Sequence, residues 1–113
     1  MALPELTKRM AESKLVAFCE KRVPKHVRDE VRLSFTIKGH KIELIEERPG
    51  WKDPSTWTQL RVAQIRFNPQ TGGWGLFCRD RNDRLHNYPL APTADFDAVL
   101  SEIDRDPTCI FWG

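Results

Sequence analysis

The chain has 113 residues, of which 40% are hydrophobic and 30% are charged, and its net charge is +2 at pH 7. This length favours a single domain over residues 1–113, and this composition excludes an intrinsically disordered chain. No apolar run reaches the roughly 20 residues of a membrane helix, and the polar N-terminus lacks the apolar stretch of a signal peptide, so we expect a cytoplasmic protein with no membrane partner.

The first part of the chain predicts a helix followed by a hairpin. Pro4 suits a first helical turn and Pro24 would stop the helix, which places it at about residues 4–22. Residues 31–38 then alternate apolar and polar side chains without an error, and "KGH" is a turn into a returning strand at 41–47. Whether the loop is 38–39 or 39–40, strand parity places Glu46 and Arg48 at the far end of the apolar face.

The middle of the chain predicts a loop, a third strand and a second hairpin. The loop, residues 49–58, holds two prolines and two tryptophans. The third strand is expected at 59–67, and "NPQTGG" after it is a turn. Residues 74–80 and 84–88 then form the second hairpin, around a two-residue turn at Asn82-Asp83.

The last part predicts a second helix on the sheet. Phe96, Val99, Leu100 and Ile103 have the spacing of an amphipathic helix, which we place over the first hairpin. The ending "TCIFWG" is expected to dock on the body of the protein. With no helix between strands, the order predicts an α+β fold: an N-terminal helix, an antiparallel sheet of about five strands in two hairpins, and a C-terminal helix packed on the sheet.

The second hairpin carries a candidate binding surface. A two-residue turn at Asn82-Asp83 pairs residue 81 with 84, 79 with 86 and 77 with 88, and so collects basic and aromatic side chains on one face. Such a face suits phosphates and stacked bases. The alternative is that the aromatic rings are core and the charges are a solvated hairpin tip. The residues of this candidate site are Arg79, Arg81, Arg84, His86 and Tyr88.

A second candidate lies where the first hairpin ends, in the stretch "EERPGW". Glu46 would accept hydrogen bonds, Arg48 would hold an anion and Trp51 would stack on a ligand. The alternative is structural: Arg48 pairs with a carboxylate, most simply Glu46, and fixes the chain before its turn. The two readings differ in whether Arg48 is free for a ligand.

The cysteines and histidines do not predict a metal site. Cys19, Cys78 and Cys109 are an odd number and are far apart, which argues for reduced thiols. No pair of cysteines or histidines has ligand spacing, and no glycine-rich loop precedes a helix. We therefore predict no metal and no cofactor.

The charges are unevenly distributed along the chain. Residues 1–92 carry 17 basic and 11 acidic side chains, a net charge of +6, whereas residues 93–113 carry one and five, a net charge of −4. This distribution fits an anionic partner, and it fits internal pairing of the acidic segment equally well.

Several stretches together resemble a known family. "IKGHKIELIEERPGW", "VAQIRF", "GGWGLF", "RLHNYP" and "DPTCIFWG" are similar to a small bacterial family described as a domain of unknown function, number 3024 in that series. The most specific piece is E-x-R-P-x-W, which begins at Glu46 here. The family's Trp-His-x-Tyr element reads "LHNY" at 85–88, so its tryptophan is missing. The resemblance covers nearly the whole chain and implies one compact domain, with no activity to transfer.

The interpretation that we favour is a small binding module for single-stranded nucleic acid or another anionic ligand. Its polar, aromatic surface is expected at one end of the sheet and combines residues of both candidates: Glu46, Arg48, Trp51, Arg79, His86 and Tyr88. The acidic last segment opposes such binding, so we expect micromolar affinity at best. One alternative is a ribonuclease-type enzyme without a metal, in which His86 is a general acid or base and Arg79, Arg84 and Tyr88 stabilise phosphate charge. Another is a protein-interaction subunit that docks a protein partner through the loop of tryptophans and prolines. The sequence leaves the oligomeric state open.

Overall fold

The computed structural model describes residues 3–112 and shows two helices on one face of a five-stranded antiparallel sheet. The helices are α1 (Glu5–Arg22) and α2 (Phe96–Arg105), and a short 3₁₀ turn at Lys25–Val27 follows α1. The strands are β1 (Arg32–Lys38), β2 (Lys41–Pro49), β3 (Trp57–Asn68), β4 (Gly73–Arg79) and β5 (Leu85–Asn87). Each strand pairs with the next in chain order, which confirms the predicted α+β fold.

The first hairpin forms as its sequence pattern predicts. Lys38 pairs with Lys41, so the loop is Gly39-His40, and Gly39 has a φ of 62°. A positive φ at the first loop position is what a two-residue hairpin of this class needs, and glycine meets it without strain. Phe35 then lies opposite Leu44, and Leu33 lies opposite Glu46. Glu46 therefore continues the apolar face, as parity predicts.

A β-bulge interrupts the pairing of β2 with β3. Leu44 pairs with Ala63 and Ile45 pairs with Arg61, so Val62 is the extra residue. The consecutive side chains Val62 and Ala63 are both buried. A bulge offsets the alternation of side chains on its two sides by one position, and here it turns Arg61, which precedes Val62 in the chain, away from the helices. The sequence pattern of β3 did not predict this.

The core lies between the sheet and the two helices. The helices contact each other, α1 contacts β1, and α2 contacts β4. The expectation that α2 covers the first hairpin was therefore wrong, because α1 occupies that position. The predicted apolar side of α2 is confirmed, since its four spaced residues are all buried. The most deeply enclosed core residues are Ala11, Leu15, Ile42, Leu44, Ala63, Ile65, Val99 and Ile103.

The C-terminal segment docks on the core, as expected, without forming a strand in the part that the structure describes. Asp106 follows α2 in the left-handed region, with a φ of 44°. Its carboxylate accepts hydrogen bonds from the backbone N–H groups of Phe111 and Trp112, at 3.1 and 2.9 Å. Phe111 is 4% exposed. One acidic side chain thus fixes the turn that returns the last residues to the core.

Because both helices lie on one side, the other side of the sheet has no helix over it within residues 3–112. We call this side the outer face. The register of the strands assigns to it the following side chains: Arg32, Ser34, Thr36, Lys38, Lys41, Glu43, Ile45, Glu47, Trp57, Gln59, Arg61, Gln64, Arg66, Phe77, Arg79, Leu85 and Asn87. The outer face is the surface on which the charged residues of the strands collect.

Candidate functional site

The predicted register of the second hairpin was wrong by one residue. Phe77 pairs with Asn87, Cys78 with His86 and Arg79 with Leu85. The loop has three residues, because the N–H of Asp80 donates to the carbonyl of Arg84 at 3.0 Å. The last loop residue, Asp83, has a φ of 61°, which is typical of a type I turn followed by a left-handed residue. A shift of one residue moves every side chain of β5 to the opposite face.

The five residues predicted for that hairpin surface therefore do not share one face. Arg79 is on the outer face, while His86 and Tyr88 point to the helix side. Tyr88 is only 5% exposed, and its hydroxyl donates a 2.7 Å hydrogen bond to Glu102 of α2. Arg81 and Arg84 are exposed in and beside the loop. The structure brings His86 and the loop together on the helix side. Arg79 lies on the opposite face from His86 and contacts the same loop from there, where its Nη1 donates to the carbonyl of Asp83 at 3.1 Å.

His86 is bound to the loop by Asp80. The ring Nε2 of His86 lies 2.8 Å from Oδ2 of Asp80, and Oδ1 accepts from the backbone N–H groups of Asn82 and Arg84 at 2.8 and 2.9 Å. These hydrogen bonds, that of His86 first, lower the pKa of Asp80 to about 2. The Asp80 carboxylate therefore organises the loop, and His86 is its partner on the helix side of the sheet.

The second candidate site shows the predicted ion pair. Nε of Arg48 donates to Oε1 of Glu46 at 2.7 Å, and the side chains are 64% and 16% exposed. Both border a cleft of ≈ 420 Å³ between the sheet and the ends of the two helices, together with Asp104 and Trp112. Trp51 does not line this cleft, and neither does His86. Arg48, Trp51 and His86 thus do not form one site.

A chain of polar side chains crosses the middle of the outer face. Nη2 of Arg79 donates to Oε1 of Glu43 at 2.8 Å, and Nε2 of Gln64 donates to the same oxygen at 2.6 Å. Nε of Arg66 donates in turn to Oε1 of Gln64. Gln64 is 5% exposed, and the side chain of Arg79 is 13% exposed. This network fixes the orientation of two arginines on adjacent strands.

Two arginines of the outer face are stacked on aromatic rings. The guanidinium carbon of Arg32 lies 3.8 Å from the ring centroid of Trp57, and that of Arg66 lies 4.3 Å from the centroid of Phe77. Both distances are within the range of cation–π contacts. The flat guanidinium groups thus lie on the sheet, where a second planar group can stack on them.

Hollows border the network toward both ends of the sheet. One of ≈ 510 Å³ lies at the β1–β2 turn and is lined by Thr36, Lys38, Lys41, Glu43 and Gln64, among others. The other, of ≈ 720 Å³, lies beyond the end of β4. It includes Arg61, which is 3.8 Å from the carboxylate of Asp83, and Arg79. The hollow at the β1–β2 turn is therefore basic, through Lys38 and Lys41, whereas the hollow beyond β4 combines arginines with Asp80, Asp83 and apolar side chains.

The sequence contained the signal for most of this surface, but the prediction did not use it. Arg32 and Lys38 occupy polar positions of the alternating pattern in β1, and Lys41 occupies a polar position of the pattern in β2. Strand parity alone places them opposite the apolar face. Arg61 could not be placed in this way, because it depends on the bulge.

Two further features concern metals and membranes. Within residues 3–112, no three His, Cys, Asp or Glu side chains come together as metal ligands would. Neither helix in that range combines the length and the apolar character that crossing a bilayer requires.

Comparison with known proteins identifies a family. The model of one family, described as a domain of unknown function (DUF3024), matches residues 3–113. No curated protein and no solved structure matches the chain. Since the match extends over nearly the whole sequence and includes both hairpins and both helices, the chain belongs to the DUF3024 family.

Proposed function

We propose that this protein is a small module that binds single-stranded nucleic acid through the outer face of its sheet. The observation that carries the proposal is the pair of stacked contacts, Arg32 on Trp57 and Arg66 on Phe77, on a sheet face without a helix over it. Proteins that bind single strands combine a basic surface for the phosphates with planar side chains for the bases.

The charge of the outer face supports the proposal. Its strands carry six cationic side chains against two carboxylates, those of Glu43 and Glu47. Glu43 is already paired with Arg79. The cationic residues are Arg32, Lys38, Lys41, Arg61, Arg66 and Arg79.

The acidic C-terminal segment is paired on the other side of the molecule. Asp97 and Asp104 of α2 lie 2.6 and 2.7 Å from Lys14 and Arg22 of α1. Glu102 accepts from Tyr88 and from Arg105. These carboxylates therefore offset positive charge on α1 and lie on the helix side of the sheet. They repel phosphates at the basic outer face less than the net charge of the whole chain would imply.

The test is titration of a labelled single-stranded oligonucleotide, with fluorescence anisotropy as the readout and the salt concentration varied. Wild type should bind with at best micromolar affinity, which falls as salt is raised. The double variant Lys38→Gln/Lys41→Gln removes two exposed cations. If both contact phosphates, the slope of log K against log salt should decrease in magnitude by about 1.4, at about 0.7 per contact for a single strand.

The control variant is Lys8→Gln/Lys25→Gln, which changes net charge equally on exposed residues of α1 and of the 3₁₀ turn after it, outside the strands. It should leave the salt slope unchanged. Equal losses in the two double variants would show that only net charge matters, and the outer face would have no special role. Absence of binding by wild type at low salt would refute the proposal and favour the protein-docking alternative.

The same samples test the enzyme alternative. That hypothesis needs His86, Arg79 and Tyr88 to act on one phosphate, whereas Tyr88 is buried and Arg79 is on the other face of the sheet from His86. We expect the RNA to stay intact after incubation. RNA cleavage by wild type that is lost in His86→Ala would support the ribonuclease instead.

A further inference from the structure

The loop between β2 and β3 displays a tryptophan to solvent. The side chain of Trp51 is 87% exposed, more than the other large apolar residues that are exposed in residues 3–112. An exposed indole that covers no core offers a large planar surface for a partner.

The loop that carries Trp51 has an ordered backbone. The N–H of Gly50 donates to the carbonyl of Thr56 at 2.7 Å, and the N–H of Thr56 donates to the carbonyl of Asp53 at 3.0 Å. A Cβ at position 50 would lie 3.0 and 3.1 Å from those same two carbonyl oxygens. These contacts are tighter than most real Cβ contacts and are made with backbone atoms, so the tight loop favours glycine at position 50.

The carboxylate of Asp53 holds the last two residues of the loop, Ser55 and Thr56. Asp53 accepts from the N–H of Ser55 at 3.1 Å, from its hydroxyl at 2.6 Å and from the hydroxyl of Thr56 at 3.1 Å. These hydrogen bonds lower the pKa of the Asp53 carboxyl. The loop is therefore built in advance, and a partner that contacts Trp51 does not have to order it.

The loop follows directly on strands of the outer face, and it repeats the kind of side-chain contact found there. The last pair of the β2–β3 hairpin is Pro49 with Trp57, and Trp57 is the ring on which Arg32 stacks. In the loop, Nζ of Lys52 lies 5.2 Å from the ring centroid of Trp51. The end of the hairpin thus has another cation beside an aromatic ring. A nucleic acid strand that extends past the sheet would need such a pair there, for its phosphates and its bases.

We propose that the Trp51 loop is a preformed arm that stacks on a base of the same single strand that the outer face binds. The inference rests on the proposed function and specifies its footprint: the bound strand runs over the sheet and past the end of the β2–β3 hairpin. Trp51 supplies the stacking surface there, and Lys52 supplies a charge for a phosphate.

The test compares Trp51→Ala with wild type on single strands of about 4 and about 12 nucleotides, both within the range of known single-strand sites. Loss of one stacked base should weaken binding of the longer strand about 5- to 150-fold. Trp51→Phe keeps a ring and should lose less. Asp53→Ala keeps the indole but frees the loop, so it should also weaken binding.

The matched control is Leu6→Ala, which truncates another exposed apolar side chain, 79% exposed, on α1. It should bind as wild type does. Iodide quenching of tryptophan fluorescence gives a second readout, because Trp51 is open to the quencher while Trp74 is 2% exposed. Because Trp57 lies on the outer face, the longer strand should protect wild type from iodide to a greater extent than it protects Trp51→Ala.

The outcomes separate the arm from the outer face. If Trp51→Ala binds the longer strand like wild type while Lys38→Gln/Lys41→Gln loses affinity, the arm is refuted and the outer face stands. Equal effects of Trp51→Ala and Leu6→Ala would also refute the arm. If wild type binds neither strand, both proposals fail.

Discussion

Single side chains of similar type have different roles in this protein, and their exposure decides which. Arg48 and Arg79 each hold a carboxylate on β2, at 2.7 and 2.8 Å. The two carboxylates are similarly enclosed, since Glu46 is 16% and Glu43 is 20% exposed, but the side chain of Arg48 is 64% exposed whereas that of Arg79 is 13% exposed. An exposed pair contributes little to stability, while breaking an enclosed one leaves a charge without compensation.

The two arginines therefore predict different losses on substitution. Arg48→Met should lower the free energy of unfolding by less than about 1 kcal/mol, because water can replace the arginine in the open cleft. Arg79→Met should lower it by about 3 kcal/mol, the lower end of the range for breaking a buried pair, since neither side chain is fully enclosed. Urea denaturation measures both. Losses of equal size would contradict this assignment of Arg79 to the fold.

At the scale of elements, the second hairpin shows what the sequence pattern cannot decide. The alternation in β1 and β2 is unbroken, so parity placed Leu33, Phe35 and Glu46 correctly. The registers of β3 and β5 instead depend on single backbone conformations, a bulge at Val62 and a left-handed residue at Asp83. Both conformations depend on local φ and ψ angles, which cannot be predicted from the polarity of the side chains.

The loop of that hairpin can be tested by two valine substitutions. Asp83→Val should lower the free energy of unfolding by about 1–2 kcal/mol, because a β-branched residue is strained at a φ of 61°. Asn82→Val should cost much less, since Asn82 does not have a positive φ. A two-residue turn at Asn82-Asp83 would need a positive φ at Asn82, whether of type I′ or II′. Similar losses for both variants, measured by thermal unfolding, would restore the register that the sequence suggested.

At the scale of the whole molecule, the helices divide the protein into two sides with different charge. Asp97 and Asp104 of α2 are paired with α1 on one side, and the cations of the strands collect on the other. The sequence showed the uneven charge along the chain and allowed either internal pairing or an anionic partner. The fold shows the internal pairing, and it leaves the outer face basic. Which residues face each other could not be read from the sequence, because it depends on how the two helices pack.

The central claim is that this outer face is the surface that binds nucleic acid. The most direct measurement is a two-dimensional amide NMR titration of the protein with an unlabelled single-stranded oligonucleotide. The account predicts shift changes that increase with oligonucleotide concentration and centre on Lys38, Lys41, Gln64, Arg66 and Phe77, with α1 and α2 unaffected. Shift changes centred on the helices, or on the cleft beside Arg48, with β1–β4 unperturbed, would contradict it.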